Sequence, residues 1–284
     1  MDKETANARE SGIGEPLDRR GFIKKSAAFA GGTAAALVFL SDREDGRAQI
    51  VPADDPRLVA EYVKYPAAGG DMRAYIARPK KDAKCPGVIV IHENRGLNPH
   101  TEDVARRVAL EGFIAIAPDA LSQVGGTPEN VDEARAAFQK LDRETTTKNF
   151  VAAVQYLKTH PKSTGKVGCM GFCWGGGVTN QVAVHAPDLA AAIPFYGSQP
   201  APEDVPGIKA SLLAHYAGND ERINAGIAAF EEALKKASVD YTIFVYEGAG
   251  HAFFNDTNPS RYHKEAAGLA WARTVSFLKE KLTA

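Results

Sequence analysis

A cysteine between two glycines is the first feature of the sequence that could do chemistry. Cys173 lies in Gly171-Phe-Cys-Trp-Gly175, after the apolar run KVGCMGF and before a glycine-rich segment that is typical of a helix start. A nucleophile flanked in this way at a strand-to-helix turn forms a nucleophile elbow, in which small neighbours relieve crowding and the helix N-terminus favours a thiolate. The pattern predicts that Cys173 attacks a carbonyl carbon. On its own, a buried cysteine is more often a small hydrophobic residue.

A carboxylate and an imidazole follow the ends of later apolar runs. Asp220 comes after SLLAHYAGN and His251 after YTIFVYEGAG, in the chain order nucleophile, acid, histidine that α/β-hydrolases use. Functional residues of open α/β sheets collect at the carboxyl ends of strands, so we expect the three to meet. His251 would be general base and then acid, oriented by Asp220. Asp220 could instead be only a turn residue.

An oxyanion hole is expected beside the cysteine. Its first donor would be the backbone N–H of Trp174, the residue after the nucleophile, and its second an N–H after GVIVIHE, most simply that of Asn94.

The elements that must position these residues alternate between strands and helices. Two alternating segments around AGGD predict a hairpin, and continuous apolar runs such as PGVIVIHE and FIAIAPD predict strands buried on both faces. Amphipathic segments between and after them predict helices, among them INAGIAAFEEALKKAS and a last helix from about Ser260 to Leu282. The fold class is therefore expected to be α/β, a single domain with a doubly wound, mostly parallel sheet flanked by helices.

Composition argues against several classes of protein. The 284 residues carry a formal net charge of -1 at pH 7, so no broad basic field is available to hold nucleic acid. Cys85, Cys169 and Cys173 are odd in number and lack the second ligand pair of a zinc site. We therefore expect no disulfide framework, no metal and no nucleic-acid partner.

The N-terminal part of the chain differs from the rest. DRRGFIKK precedes an apolar run that is too short to span a bilayer comfortably, and a small residue, Ala48, follows further on. A basic region, a short apolar region and a small residue describe an export signal, and the arginine pair indicates the twin-arginine route for folded proteins. The interpretation is a signal peptide and linker over residues 1–48, a domain over residues 49–284, a periplasmic location, and the twin-arginine machinery as export partner. An uncleaved membrane anchor or an ordinary disordered leader is the alternative.

Four segments, IHENRGL, GFCWGG, YAGND and GAGHAFFN, together resemble the dienelactone hydrolases (carboxymethylenebutenolidases), α/β-hydrolases with a Cys-Asp-His triad. The resemblance runs from about Arg57 to the C-terminus. It implies a single-domain fold, no cofactor, and hydrolysis of a small ester or enol-lactone through an acyl-thioester. It also implies that Glu93 contacts the resting thiol and takes part in activating it.

Two positions depart from that family. Its best-studied members hold the substrate carboxylate with two arginines, and an ungapped reading puts Gln123 and Asn255 at those places. Arg95 or Arg261 could supply the guanidinium, because carboxylate recognition does not require a particular chain position. Otherwise the substrate is a different small ester.

Several assignments stay open. Phe253 and Phe254 could line an apolar pocket or fill the core, and Glu93 could be a structural acid paired with Arg95 or Arg106. His100 is expected at the surface. A non-hydrolytic small-molecule binder or thiol-redox protein on the same fold is a further alternative, although such a protein has no need of the elbow.

Overall fold

Eight β-strands and seven α-helices follow one another through residues 50–283, which this computed structural model describes. The strands are β1 (Leu58–Ala67), β2 (Gly70–Pro79), β3 (Cys85–Ile91), β4 (Ile114–Pro118), β5 (Ser163–Phe172), β6 (Ala191–Phe195), β7 (Ser211–Asn219) and β8 (Tyr241–Gly250). The helices are α1 (Pro99–Leu110), α2 (Val131–Phe138), α3 (Arg143–Thr159), α4 (Trp174–His185), α5 (Glu221–Asn224), α6 (Ile227–Lys236) and α7 (Lys264–Thr283). The predicted export signal over residues 1–48 lies outside the described residues.

The strands form one sheet in the order β1-β2-β4-β3-β5-β6-β7-β8. β1 and β2 are an antiparallel hairpin and β2 pairs antiparallel with β4, whereas all other neighbours are parallel. The predicted hairpin and the predicted α/β fold, with a mostly parallel sheet, are therefore confirmed. Within residues 50–283, no helix is both long enough and apolar enough to cross a membrane.

Two apolar layers cover the two faces of the sheet. The helices α1 and α7 contribute to one layer, and α3, α4 and α6 to the other. β3 shows the consequence for the sequence, because all seven of its residues are buried. Val88 and Val90 belong to the first layer, while Ile89 and Ile91 belong to the second. Side chains alternate along a strand, so a strand that is covered on both faces must be apolar throughout.

Two helix boundaries differ from the expectation. The segment predicted as one helix is divided into α5 and α6, and the Asn224 side chain holds α5 against β7 by donating to Ala217 O at 2.8 Å. The last helix begins at Lys264, because the Asn258 carbonyl accepts from the backbone N–H groups of Arg261 and Tyr262 in a separate turn. In both places local hydrogen bonds compete with helix continuation.

Asp103 on α1 ties the first described residues to the fold. Its carboxylate accepts from the backbone N–H groups of Ile50 and Val51, at 3.1 and 2.7 Å, and from Arg107 Nε at 2.9 Å. Arg106 is also buried and donates to Val51 O at 2.8 Å. Since Asp103 is only 1% exposed, its charge is stable only while these donors surround it.

We therefore expect Asp103→Ala to lower the free energy of unfolding by about 3 kcal/mol, because it leaves two backbone donors without an acceptor and removes one of the two carboxylates that pair with Arg107. Urea titration at pH 7 measures the change. Asp132→Ala is the control, since Asp132 is exposed and pairs only with Arg135 at the surface; it should change the value by less than about 0.5 kcal/mol. Equal effects of the two substitutions would contradict this account of Asp103.

Candidate active site

The register of β3 and β5 brings Glu93 and Cys173 together. Ile91 pairs with Gly171 across these two parallel strands, and Glu93 and Cys173 each lie two residues beyond that pair. Parallel strands end at the same edge of a sheet. The carboxylate and the thiol therefore leave the sheet as neighbours.

The register of β7 and β8 does the same for the acid and the imidazole. Asn219 pairs with Gly250, and Asp220 and His251 follow directly. His251 Nδ1 donates to Asp220 Oδ2 at 2.5 Å. Because Nδ1 carries this proton, Nε2 of the neutral ring is left as the available base.

The turn at Cys173 has the geometry of a nucleophile elbow. Cys173 adopts φ 56° and ψ −113°, a backbone conformation that residues other than glycine rarely adopt. A Cβ on Gly171 would lie 2.3 Å from Gly175 O, and a Cβ on Gly175 would lie 2.4 Å from His92 O. The two flanking glycines are therefore required by the close approach of α4 to β5 and to the end of β3.

The surroundings of the thiol keep it protonated. Burial is the largest influence and, with the negative charge of Glu93, raises the pKa of Cys173 to about 11. The backbone N–H of Trp174 and the charge of Arg222 act in the opposite direction, and Asp220 adds a smaller rise. The resting thiol is thus neutral, and the thiolate forms only when its proton is removed. Among the hydrogen bonds of residues 50–283, none joins Cys173 Sγ to His251.

Glu93 is held by one oxygen and left free at the other. Asn255 Nδ2 donates to Glu93 Oε2 at 3.0 Å. Glu93 Oε1 is buried and has no hydrogen-bond partner within the described part of the chain. The alternative pairing of Glu93 with Arg106 is not present, because Arg106 donates to Val51 O and to Tyr75 Oη instead.

Tyr196 is a neighbour that the sequence interpretation missed. It directly follows β6, and its ring lies 5.1 Å from that of His251. Burial and then the charge of Glu93 raise the pKa of its phenol well above the ordinary value, although its hydroxyl has no partner with good hydrogen-bond geometry. The rule that functional residues follow parallel strands would have found Tyr196 if it had been applied to β6.

The expected oxyanion donors flank the elbow. Trp174 N–H is at the first position of α4, where helix geometry leaves it without an intrahelical acceptor, and it acts to lower the pKa of the Cys173 thiol. Asn94 is exposed in the turn after β3, and within residues 50–283 its backbone N–H has no intramolecular acceptor. The Trp174 ring is stacked on His92, with centroids 5.5 Å apart.

The two phenylalanines that could have lined a pocket lie in the core. Phe253 is fully buried and packs on Tyr196 and Tyr246, while Phe254 is 3% exposed and stacks on Phe172. The pocket-lining alternative for this pair is therefore corrected, because the turn after His251 directs both rings into the apolar layer that α7 covers.

Three arginines lie on the segments that carry the candidate site residues. Arg261 is exposed and lines a cavity of about 420 Å³ together with His251, Tyr262 and His263. Arg95 is half-buried in the turn after β3. Arg222, which the sequence interpretation missed, lies on α5 two residues after Asp220, and its charge reaches Cys173. Across the described residues, no group of three or more His, Cys, Asp or Glu side chains could hold a metal ion.

The neutral thiol leads to a prediction about pH. Iodoacetamide should alkylate Cys173 slowly at pH 7, and the rate should rise about tenfold per pH unit towards the pKa of about 11. Glu93→Gln removes the negative neighbour, so it should speed alkylation at pH 8. Peptide mass spectrometry separates Cys173 from Cys85 and Cys169, which are buried. A rate that levels off at or below the ordinary thiol pKa of about 8.5 would contradict this description.

Comparison with known proteins gives a consistent result. The family model described as "Dienelactone hydrolase family" matches residues 72–282. A protein of Escherichia coli (strain K12) is 33% identical over 247 residues, which are 81% of this chain and 90% of that protein. A protein of Saccharolobus solfataricus is 34% identical over 253 residues, 76% of this chain and 96% of that protein. Both carry the provisional name carboxymethylenebutenolidase.

Solved structures show the same similarity. A crystal structure provisionally named as a dienelactone hydrolase, from Klebsiella pneumoniae, superposes with a TM-score of 0.72 and 28% identity. The match covers 78% of this chain and 99% of that one, so it extends over nearly the whole of the solved structure.

Proposed function

Because this chain belongs to the dienelactone hydrolase family, we propose that it opens an ester or enol-lactone through an acyl-thioester on Cys173. Membership makes the chain a hydrolase of ester-type substrates. The observation that carries the finer proposal is the strained elbow at Cys173 beside the His251–Asp220 pair, whose Nδ1···Oδ2 distance is 2.5 Å.

The first half-reaction forms the thioester. The Cys173 thiol loses its proton as Sγ attacks the substrate carbonyl carbon, with His251 Nε2 as general base and Glu93 assisting once substrate is bound. The C–S bond forms while the carbonyl electron pair moves to oxygen. The N–H groups of Trp174 and Asn94 stabilise this oxyanion. The C–O bond then breaks, and the leaving oxygen takes the proton from His251.

The second half-reaction releases the acid. His251 removes a proton from water, which attacks the thioester carbonyl, and the collapse of the second tetrahedral intermediate returns the proton to the Cys173 sulfur. Asp220 stabilises the imidazolium that forms in each half-reaction. The neutral resting thiol supports this sequence, since a thiol with a pKa of about 11 needs a base in the transition state.

The residue at position 255 bears on the class of substrate. Asn255, at one of the expected arginine positions, is engaged with Glu93 and offers no cation. This observation favours a neutral small ester, the alternative substrate class. Arg261, which lines the cavity beside His251, and Arg95 are the candidates for binding a substrate carboxylate.

The test compares a dienelactone carboxylate with a neutral aryl acetate, for the wild type and for Cys173→Ala. We expect Cys173→Ala to lower kcat by at least about 10³-fold for whichever ester is turned over, because the nucleophile is removed. Cys85→Ala is the matched control and should leave the rate unchanged. Mass spectrometry after a brief reaction should show an acyl group on the Cys173 peptide.

Each outcome has a distinct meaning. Cysteine-dependent turnover of the lactone supports the full proposal, and cysteine-dependent turnover of the aryl acetate alone replaces the substrate class. Equal rates for wild type and Cys173→Ala would reject the thioester mechanism and favour the non-hydrolytic alternative for this thiol.

We also propose that the protein is exported by the twin-arginine route. The support is the segment DRRGFIKK before a short apolar run, together with the fact that this route accepts folded proteins. Replacing both Arg19 and Arg20 by lysine conserves charge but removes the signal, so the protein should be retained in the cytoplasm. Cell fractionation followed by immunoblotting measures this, with Lys24→Arg as the control. Unchanged fractionation of the double variant would reject the route.

A further inference from the structure

Asn255 has a role that the triad does not explain. We propose that Asn255 is a positioning residue for the Glu93 carboxylate, and that an ion pair between Arg107 and Asp256 holds Asn255 in place. The inference rests on the proposed function, because Glu93 assists only if Cys173 is the nucleophile.

The orientation of the Asn255 amide is fixed by its surroundings. Its Oδ1 accepts from Thr257 N–H at 3.1 Å and from Thr257 Oγ1 at 2.6 Å. With the oxygen engaged by two donors, the NH₂ group must face the other way, where it donates to Glu93 Oε2 at 3.0 Å. Asn255 is only 7% exposed, so water does not compete freely for these bonds.

The single bond from Asn255 makes the two Glu93 oxygens different. Oε2 is held, whereas Oε1 is buried without a hydrogen-bond partner among the described residues. A buried oxygen in this state is costly and calls for a functional reason. The charge of Glu93 is felt at the Cys173 sulfur. Asn255 therefore holds Oε2 and leaves Oε1 without a hydrogen bond of good geometry in a carboxylate that acts on both the Tyr196 phenol and the Cys173 thiol, and, being neutral, it does not neutralise the charge of Glu93.

The residue next to Asn255 anchors the segment. Asp256 Oδ2 accepts a hydrogen bond from Arg107 at 2.6 Å. Asp256 Oδ1 lies 3.1 Å from His100 Nδ1, but this second contact does not have the geometry of a hydrogen bond. Burial raises the pKa of the Asp256 carboxyl, but the combined effect of His100 and Arg107 is larger and holds this pKa below its ordinary value. The expectation that His100 is a surface residue is wrong, since it is 7% exposed against Asp256.

The anchor is part of the fold and not of a loose loop. The same Arg107 side chain also pairs with Asp103, which binds the backbone of Ile50 and Val51. Arg107 and Asp256 are 11% and 13% exposed in their side chains. A buried ion pair with several further partners fixes geometry more than it adds stability.

The test is a double-mutant cycle between Asn255 and Glu93. Asn255→Asp keeps the shape of the side chain and an acceptor for Thr257, but it removes the donor to Glu93. We expect it to lower kcat/KM for the aryl acetate about tenfold or more in the wild-type background. In the Glu93→Gln background the same substitution should lower kcat/KM by less than about twofold, because the carboxylate that Asn255 positions is gone. Asn149→Asp is the control for introducing a carboxylate. Asn149 is also buried, and its Oδ1 accepts a hydrogen bond from Gly69 N–H.

The results separate this proposal from the proposed function. Equal losses in both backgrounds, or no loss in the wild-type background, overturn the role of Asn255. Cys173→Ala, measured alongside, tests the thioester mechanism itself. If hydrolysis does not depend on Cys173, the same cycle is measured on the alkylation rate of Cys173. We then expect Asn255→Asp to change this rate in the background that retains Glu93 and to leave it unchanged in the Glu93→Gln background. If Asn255→Asp does not fold, Asn255→Ala takes its place in the cycle.

Discussion

The contact between the start of α4 and the end of β3 is the constraint on which the site depends. Gly175 lies so close to His92 O that a Cβ would be 2.4 Å from it. This approach fixes the direction in which α4 leaves β5, and with it the strained backbone of Cys173. It also sets Glu93, which follows His92, beside the thiol. The glycines of this turn therefore determine which groups lie beside the Cys173 thiol as well as the backbone conformation of Cys173 itself.

A second consequence of this arrangement concerns charge. The thiol has a carboxylate for a neighbour, and burial adds to the effect, so its pKa lies at about 11. A protonated thiol reacts slowly with electrophiles and oxidants, because the thiolate is the reactive form. The surroundings of Cys173 thus hold its sulfur in the protonated, less reactive form. In the proposed mechanism, His251, whose Nδ1 donates to Asp220, is the base that removes this proton once substrate is bound.

The sequence predicted those parts of the fold and site that local patterns encode. Continuous apolar runs identified the buried strands, and the G-x-C-x-G spacing identified the turn at Cys173, because a strained backbone limits which residues can occupy it. The contact between Asn255 and Glu93 joins residues far apart in the chain and depends on a turn whose form is not local. For the same reason, the sequence left open whether Phe253 lines a pocket or fills the core, and it did not predict the burial of His100. Tyr196 was missed because β6 was not considered with the other strand ends.

The buried ionic contacts have a further consequence for the response to salt. Ion pairs at the surface, such as Lys148 with Glu144, are exposed to dissolved ions and weaken as the Debye length shortens from about 10 Å at 0.1 M to about 3 Å at 1 M. Arg107, Asp103 and Asp256 are largely enclosed, so mobile ions cannot come between them. The turn that follows His251 is therefore held by charges that ionic strength hardly reaches, and the shape of the site should be the same in dilute and in concentrated electrolyte.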